Sequence, residues 1–281
     1  AEDRCPSGFV ADKTITASGL VICPGLVDIS ARLGDSRSGF KGSLEQELRA
    51  ALAGGVTRLG CPPDMSPALD QPGLVTMLRD RANALDSAKI FPVGALTKSL
   101  SGEKLTEMVD LAKAGCVAFS QGDHALPKSA VLKKAMEYAA TFGLSVWLSP
   151  QESSLSELGV MHEGQVSTRL GLTGIPVIAE TLAVATILML AKDIGARVHL
   201  SKLSSYAAVE LVRDAKEKGI DVTCDVSVHN LHLCDVDIGF FDTNFRFSPP
   251  LRGPRDRKGL RAGLEDDTVD LICSNHSPVG Q

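Results

Sequence analysis

The chain has 281 residues, 44% apolar and 22% charged, with a net charge of −5. Its length supports one large domain with a substantial core, and its composition is that of an ordinary globular protein. The acidic balance gives no electrostatic case for nucleic acid or an anionic membrane, and the longest apolar run, residues 182–191, is too short to span a bilayer.

In chain order, residues 1–23 open as AEDRCPSG, without an initiator methionine or a secretory signal, as expected of a piece of a longer cytoplasmic product. The alternation in FVADKTITASGLVI predicts one or two short strands outside the main domain. From residue 24 a different rhythm begins. Apolar runs at 26–30, 57–61, 90–95, 116–119, 145–148, 196–200, 221–225 and 269–274 predict strands. Helical patterns at 43–53, 70–85, 103–114, 129–142, 177–194, 205–218 and 255–264 fill most of the gaps, several ending on glycine. This alternation predicts a parallel sheet with right-handed crossovers, and eight strands in about 250 residues match a (β/α)8 TIM barrel over residues 24–281. An open doubly wound sheet is the alternative, weakened by the lack of a GxGxxG after the first strand. Residues 151–176 break the rhythm as a long polar loop, which predicts part of a site or an interface. The chain stops just past the eighth strand, before the helix that would close such a barrel.

In a barrel of this kind the chemistry sits at the C-terminal ends of the strands. The first strand lies in ICPGLVDISARLGD (22–35). It is entered by a Pro-Gly turn and left by Ser30 and Arg32, which point to one side. The other strand ends offer Cys61-Pro62-Pro63-Asp64, Gln121, Ser149, Lys202, His229 and Asn275. A hydrolytic metal centre needs several converging His and carboxylate ligands. Ser, Arg, Gln, Ser, Lys and Asn are weak or repulsive substitutes. His229 and His232, three apart, are the one pair that could share a helical face. His276 reads as a hydrogen-bonded structural residue, His199 as a satisfied core imidazole, and His124 and His162 as exposed loop residues. No GxSxG or Ser-His-Asp arrangement is present. The seven cysteines show no CxxC pair and read as small buried hydrophobes in a reducing compartment.

Over essentially its whole length the chain resembles dihydroorotases of the cyclic amidohydrolase superfamily. PGLVD resembles the family's PGxxDxHxHxREPG, GGVTRLGCPPDMSP its GGxTxxxxMPNTxP, and AGCVAFSQGD its AGAVxFSDDG. LSPQESSL stands where the family has HxEDxxL. VHLSKLSSYAAVELVRDAKEKGIDVTCDVSVHNLHL, NFRFSPPLRGPRDRKGL and ICSNHSPV follow in the family's order. The resemblance implies an amidohydrolase barrel, with residues 1–23 as part of a flanking β-sandwich whose remaining strands lie beyond residue 281.

It also implies a degenerate site. The first metal-binding histidine pair is replaced by Ser30 and Arg32, the bridging carboxylate by Gln121, and the next two histidines by Ser149 and Lys202. The proton-moving aspartate is replaced by Asn275. Gly34, Asp64, Ser248 and Val279 stand at altered substrate contacts, and His229, Arg246 and His276 complete the relic pocket. Pro24, Gly25, Asp28, Gly164, Pro249, Pro250, Leu251 and Arg252 remain from the scaffold. The resemblance therefore points to a pseudoenzyme of pyrimidine biosynthesis without metal or cofactor. Its expected association is as a homodimer and as a structural subunit with the catalytic chain of aspartate transcarbamoylase, through residues 151–176 and 36–41. One alternative is an active cyclic amidohydrolase, with zinc held by an unusual set among His229, His276, Asp225 and Asp123. Another is a small-molecule sensor in which Arg32, Lys202 and Arg246 bind a carboxylate or phosphate.

Overall fold

Eight parallel strands form the frame of the computed structural model, which describes residues 8–33 and 43–278. In order around the sheet they are β1 (Leu26–Asp28), β2 (Val56–Cys61), β3 (Lys89–Ala95), β4 (Ala118–Ser120), β5 (Val146–Leu148), β8 (Val198–Leu203), β9 (Val222–Ser227) and β10 (Leu271–Cys273). Two short strands, β6 (Met161–His162) and β7 (Gly174–Ile175), pair separately. Just past β1 and β10, Ala31 bridges His276, and the Arg32 N–H donates to the His276 carbonyl at 2.9 Å. That contact brings the first strand to the last, so the sheet is a nearly closed barrel and not an open doubly wound sheet. Gly60 permits the β1–β2 approach, because a Cβ there would lie 2.4 Å from the Ile29 carbonyl oxygen.

The helices are α1 (Leu44–Ala53), α2 (Pro72–Asn83), α3 (Met108–Ala114), α4 (Ser129–Thr141), α5 (Ser153–Ser156), α6 (Gln165–Leu170), α7 (Val177–Ile194), α8 (Tyr206–Glu217), α9 (Val228–His232) and α10 (Pro254–Glu265). Their starts follow local chemistry. Ser43 and Gln46 form a reciprocal capping box before α1, Ser205 caps α8, and proline opens α2 and α10. α8 shows how they attach, burying Ala208, Val209, Val212 and Ala215 on one face. Among the described residues, no helix is long and apolar enough to cross a membrane.

Several expectations need correction. Residues 8–25 form no strand, and Phe9, Val10, Ile15, Leu20, Val21 and Ile22 are exposed. An alternating pattern makes a strand only beside a partner, and none lies alongside among the described residues. The helix predicted from 103 begins at Met108. Leu105 bridges Thr97 instead, and the Thr106 hydroxyl donates to the Ala95 carbonyl at 2.6 Å. Residues 151–176 are not an open loop but α5, β6, α6 and β7. The apolar residues scattered through this polar stretch gather into a core of their own, with Met161, Val166 and Leu170 packing against Ile238.

Arg252 fastens this small lobe to the barrel. It donates from Nε to Ser204 Oγ at 3.0 Å and from Nη1 to the Ile175 carbonyl at 2.5 Å, with His162 Nδ1 at 3.2 Å. Ser204 in turn donates its N–H and hydroxyl to Glu180 Oε1. His162, expected to be a solvated loop residue, is therefore half-buried in β6.

Candidate functional site

The barrel mouth is filled by an ion lattice. Arg32, at the end of β1, donates to Asp64 Oδ2 from Nε at 3.1 Å and from Nη2 at 2.8 Å, and its Nη2 also lies 2.8 Å from Asp123 Oδ2. The Lys202 ammonium reaches the other oxygen of Asp123 at 2.5 Å, and Lys202 is only 3% exposed. Its backbone N–H donates to Asp225 Oδ1 at 3.0 Å, while Asp225 Oδ2 lies 2.8 Å from His199 Nε2. Thr223 Oγ1 holds the other ring nitrogen of His199. The imidazole is thus satisfied inside the barrel wall, as the sequence suggested.

Asp123 is the keystone. Gly122, at φ 61°, turns the chain over Asp64, where a Cβ would lie 2.7 Å from the carboxyl carbon. The Asp123 N–H then donates to Asp64 at 3.3 Å. Burial opposes ionisation of Asp123, but Lys202 and then Arg32 overcome it and hold its carboxyl below the usual range. Burial likewise works against the Arg32 charge, and Asp123 and Asp64 outweigh it, raising the pKa of the guanidinium. The space left among Ser30, Arg32, Trp147, Ser149 and Lys202 is about 30 Å³, room for one or two waters. Asp123 separates it from an outer groove of about 490 Å³ lined by His124, Ser149, Gln151 and Ser248.

The other sequence candidates scatter. Gln121 is buried but turned away, accepting from the Thr97 hydroxyl and donating to the Leu100 carbonyl at 2.7 Å. Asn275, at φ 52°, donates its amide to the Ser248 carbonyl at 3.1 Å. His229 stacks on Phe247 with ring centres 4.4 Å apart, and His232 is exposed, so the two do not form a ligand pair. His276 points outward to Glu47 at 2.8 Å. Arg246 is exposed and lines neither the mouth cavity nor the outer groove. Gly34, Val279 and the proposed contact segment 36–41 lie outside the described residues.

A pair of divalent ions does not fit this donor set. Fixed cations stand at two of the expected ligand positions, Gln121 faces elsewhere, and among the described residues no three His, Cys, Asp or Glu side chains converge as ligands. Cysteine chemistry has no better footing. Burial, then Asp64, pushes the Cys61 thiol up to about 12, and burial raises Cys273 further. Sequence reasoning missed the role of Asp64 and Asp123 as counter-ions. The usable signal was charge balance: two cations at strand ends need carboxylates within reach.

A model of the Dihydro-orotase-like family matches residues 19–208. The chain belongs to this family. It is 45% identical over 273 residues to a dihydroorotase-like protein of Pseudomonas aeruginosa, covering 97% of this chain and 64% of that protein. It is 38% identical to a dihydroorotase of Trichlorobacter lovleyi, covering 95% and 63%. In structure it resembles the L-hydantoinase of Arthrobacter aurescens at a TM-score of 0.76 and 21% identity, over 96% of this chain and 61% of the other. The dihydroorotase-like chain therefore spans just under two thirds of these relatives, and it has the amidohydrolase barrel.

Proposed function

We propose that this chain is a non-catalytic dihydroorotase-like subunit of pyrimidine biosynthesis, retained as a structural partner of the aspartate transcarbamoylase catalytic chain. The observation that carries the reading is the mouth lattice, in which Arg32 and Lys202, balanced by Asp64 and Asp123, stand where a hydrolase would hold metal ligands. Ring opening of a cyclic amide needs an activated water and a base to move its proton. Asn275 has no basic group, and the lattice leaves no vacant charge to polarise a carbonyl. The same pairing argues against an anion sensor, because buried Lys202 and half-buried Arg32 are already neutralised and Arg246 stands apart. With its chemistry replaced, a folded barrel can still serve through its surface.

The active-enzyme reading has one observation in its favour, the 38% identity to a protein named dihydroorotase. Metal content, turnover and the mass of the co-expressed complex decide between them. The purified full-length protein is expected to hold no stoichiometric zinc and to leave dihydroorotate unhydrolysed. Ser149→His is expected to restore neither, because Arg32 and Lys202 remain. Co-expression with the transcarbamoylase chain, followed by light scattering, is expected to give one complex. Zinc at one or two ions per chain with turnover would overturn the pseudoenzyme reading, and separate elution beside a fully active transcarbamoylase would overturn the partnership.

A further inference from the structure

Asp235 lies beside the lobe, 6% exposed, with its Oδ1 buried and without a hydrogen-bond partner. It opens the short 3-10 helix Asp235–Ile238, whose last residue joins the lobe core, and its N–H donates to the Arg252 carbonyl at 3.0 Å. A buried carboxylate oxygen that receives no donor is costly, so its position calls for a reason. His162 supplies one. An arginine only donates, so the Nδ1 that lies 3.2 Å from Arg252 Nη1 is an acceptor, and the neutral ring carries its proton on Nε2. On the Nε2 side stand two glycines. A Cβ at Gly164 would lie 3.6 Å from Nε2 and one at Gly253 4.0 Å, so neither position blocks a turn of the ring. A proton added at Nδ1 would set two donors and two positive charges face to face.

We propose that His162 is a proton-operated clasp between the lobe and the barrel. Neutral, it accepts from Arg252. On taking a proton from water at Nδ1, it leaves Arg252 and turns to donate to Asp235 Oδ1, the buried acceptor that has no partner in the first state. Arg252 keeps its bond to the Ile175 carbonyl, which also takes the Glu163 N–H, so the lobe is re-seated and not shed. α5 belongs to the lobe, and its Ser153 and Ser156, with Glu157 after it, form one wall of the outer groove beside Asp123. The clasp thereby couples the shape of that groove to pH.

The charges around the ring set its bias. Burial first, and Arg252 next, favour the neutral form, while Asp235, Asp256 on α10 and Glu163 beside it favour the charged one. β7 carries no charged residue, and α6 carries only Arg169, exposed in its last turn. Asp235 answers in kind, since burial raises its carboxyl and His162 is the first influence that lowers it. The two groups therefore titrate as a coupled pair. With the neutral ring favoured, the exchange of partners falls below the ordinary imidazole value near 6.5. None of the mouth residues takes part, so the clasp stands apart from the reading of the barrel mouth.

The test is nitrogen NMR of the His162 ring in the full-length protein, assigned through its own backbone. At about pH 7.5, above the ordinary imidazole value, Nδ1 is expected to be bare and Nε2 protonated, and by about pH 5 both are expected to carry protons. Asp235→Asn removes the second partner and is expected to lower the His162 midpoint, with a roughly tenfold loss of proton affinity. Amide exchange read by mass spectrometry follows the lobe. Between these two pH values, and relative to β8 and β9, protection of residues 161–175 is expected to fall several-fold in the wild type. It is expected to stay level in His162→Gln, whose side-chain oxygen still accepts from Arg252. The ring measurements need no variant at position 162. A neutral ring protonated at Nδ1, a midpoint unmoved by Asp235→Asn, or lobe protection that follows pH alike in wild type and His162→Gln overturns the proposal.

Discussion

Lys202 at the barrel mouth and Arg252 beneath the lobe are equally buried, each 3% exposed, yet they are held in opposite ways. Lys202 shares a carboxylate with Arg32, and the mouth is balanced charge against charge. Arg252 spends its donors on neutral acceptors, a carbonyl, a hydroxyl and an imidazole nitrogen, at positions that fix the course of three segments. The first arrangement tolerates exchange of one cation for another as long as the sum is kept. The second depends on the fork geometry of a guanidinium. The anchor therefore depends on the geometry of one side chain, while the mouth depends on the sum of its charges.

The largest effect is expected at the anchor. Arg252→Met leaves the Ile175 carbonyl without its side-chain donor and Ser204 with one partner fewer, and strips the counter-charge from buried Glu180. A loss of about 3–5 kcal/mol is the scale for breaking a buried charged network. Chemical denaturation followed by circular dichroism measures it, and a loss below 1 kcal/mol would erase the distinction between the two regions.

Lys202→Met is expected to cost less, about 1–3 kcal/mol. Arg32 still pairs with Asp123, and that carboxylate, a third exposed, can turn to water. Adding Asp123→Asn should restore part of the loss, because Arg32 then faces one carboxylate and no excess anion remains. A double-mutant cycle on denaturation midpoints reads this coupling, and strict additivity would mean that the lattice is not one unit.

The regions should also fail at different pH. The folded-state pKa of Asp123 is lowered, so its contribution is present above the ordinary carboxylate pKa near 4 and lost as pH falls through its lower folded value. His162 is lowered too, by burial first and then by Arg252, against the pull of Asp235, Asp256 and Glu163. For a base the unfolded chain then binds the proton more readily, so stability is lost as pH falls below about 6.5. Asp235 runs the other way. Burial raises its carboxyl, which costs stability at neutral pH and returns it in acid. Wild type is therefore expected to soften first as pH falls below about 6.5 and again below about 4. His162→Gln should remove the first step and Asp123→Asn should reduce the second, to which Asp266, also held below the usual range, contributes. One midpoint curve with a single step, unaffected by His162→Gln, would contradict this order.

Much of the frame was readable from the sequence because each strand is a short apolar run and most are followed by an amphipathic helix. The eight predicted runs contain or overlap β1 to β5 and β8 to β10. The lobe was hidden because Met161, Val166 and Leu170 sit too far apart, among too many polar residues, to show a period. Their common partner, Ile238, lies about seventy residues on. At the site, sequence reading named Ser30, Arg32, Ser149 and Lys202 at one mouth, and the fold gathers them there. It could not foresee that Gln121 turns toward Leu100 or that His276 turns toward Glu47, since a residue beside a strand end can point to either side. Asp123 drew little notice because its importance comes from two cations distant in sequence.

The smallest effect is expected at the seam of the barrel. His276 Nε2 meets Glu47 Oε2 at 2.8 Å, joining the end of β10 to α1, but the imidazole is 46% exposed. The seam is also held by backbone, through the bond from the Arg32 N–H to the His276 carbonyl, and by Asp28, which accepts from the Ser274 N–H and hydroxyl. Neither depends on the imidazole. A pair this close to solvent contributes about 0–1 kcal/mol, and glutamine can still donate to Glu47. His276→Gln is accordingly expected to shift stability by less than about 0.5 kcal/mol, while Asp28→Asn, which weakens the acceptor of the Ser30 N–H as well as of both Ser274 donors, shifts it several times more. If the order is reversed, the seam is held by its surface side chains and not by its backbone. The contrast between mouth and anchor would then need a third kind of joint.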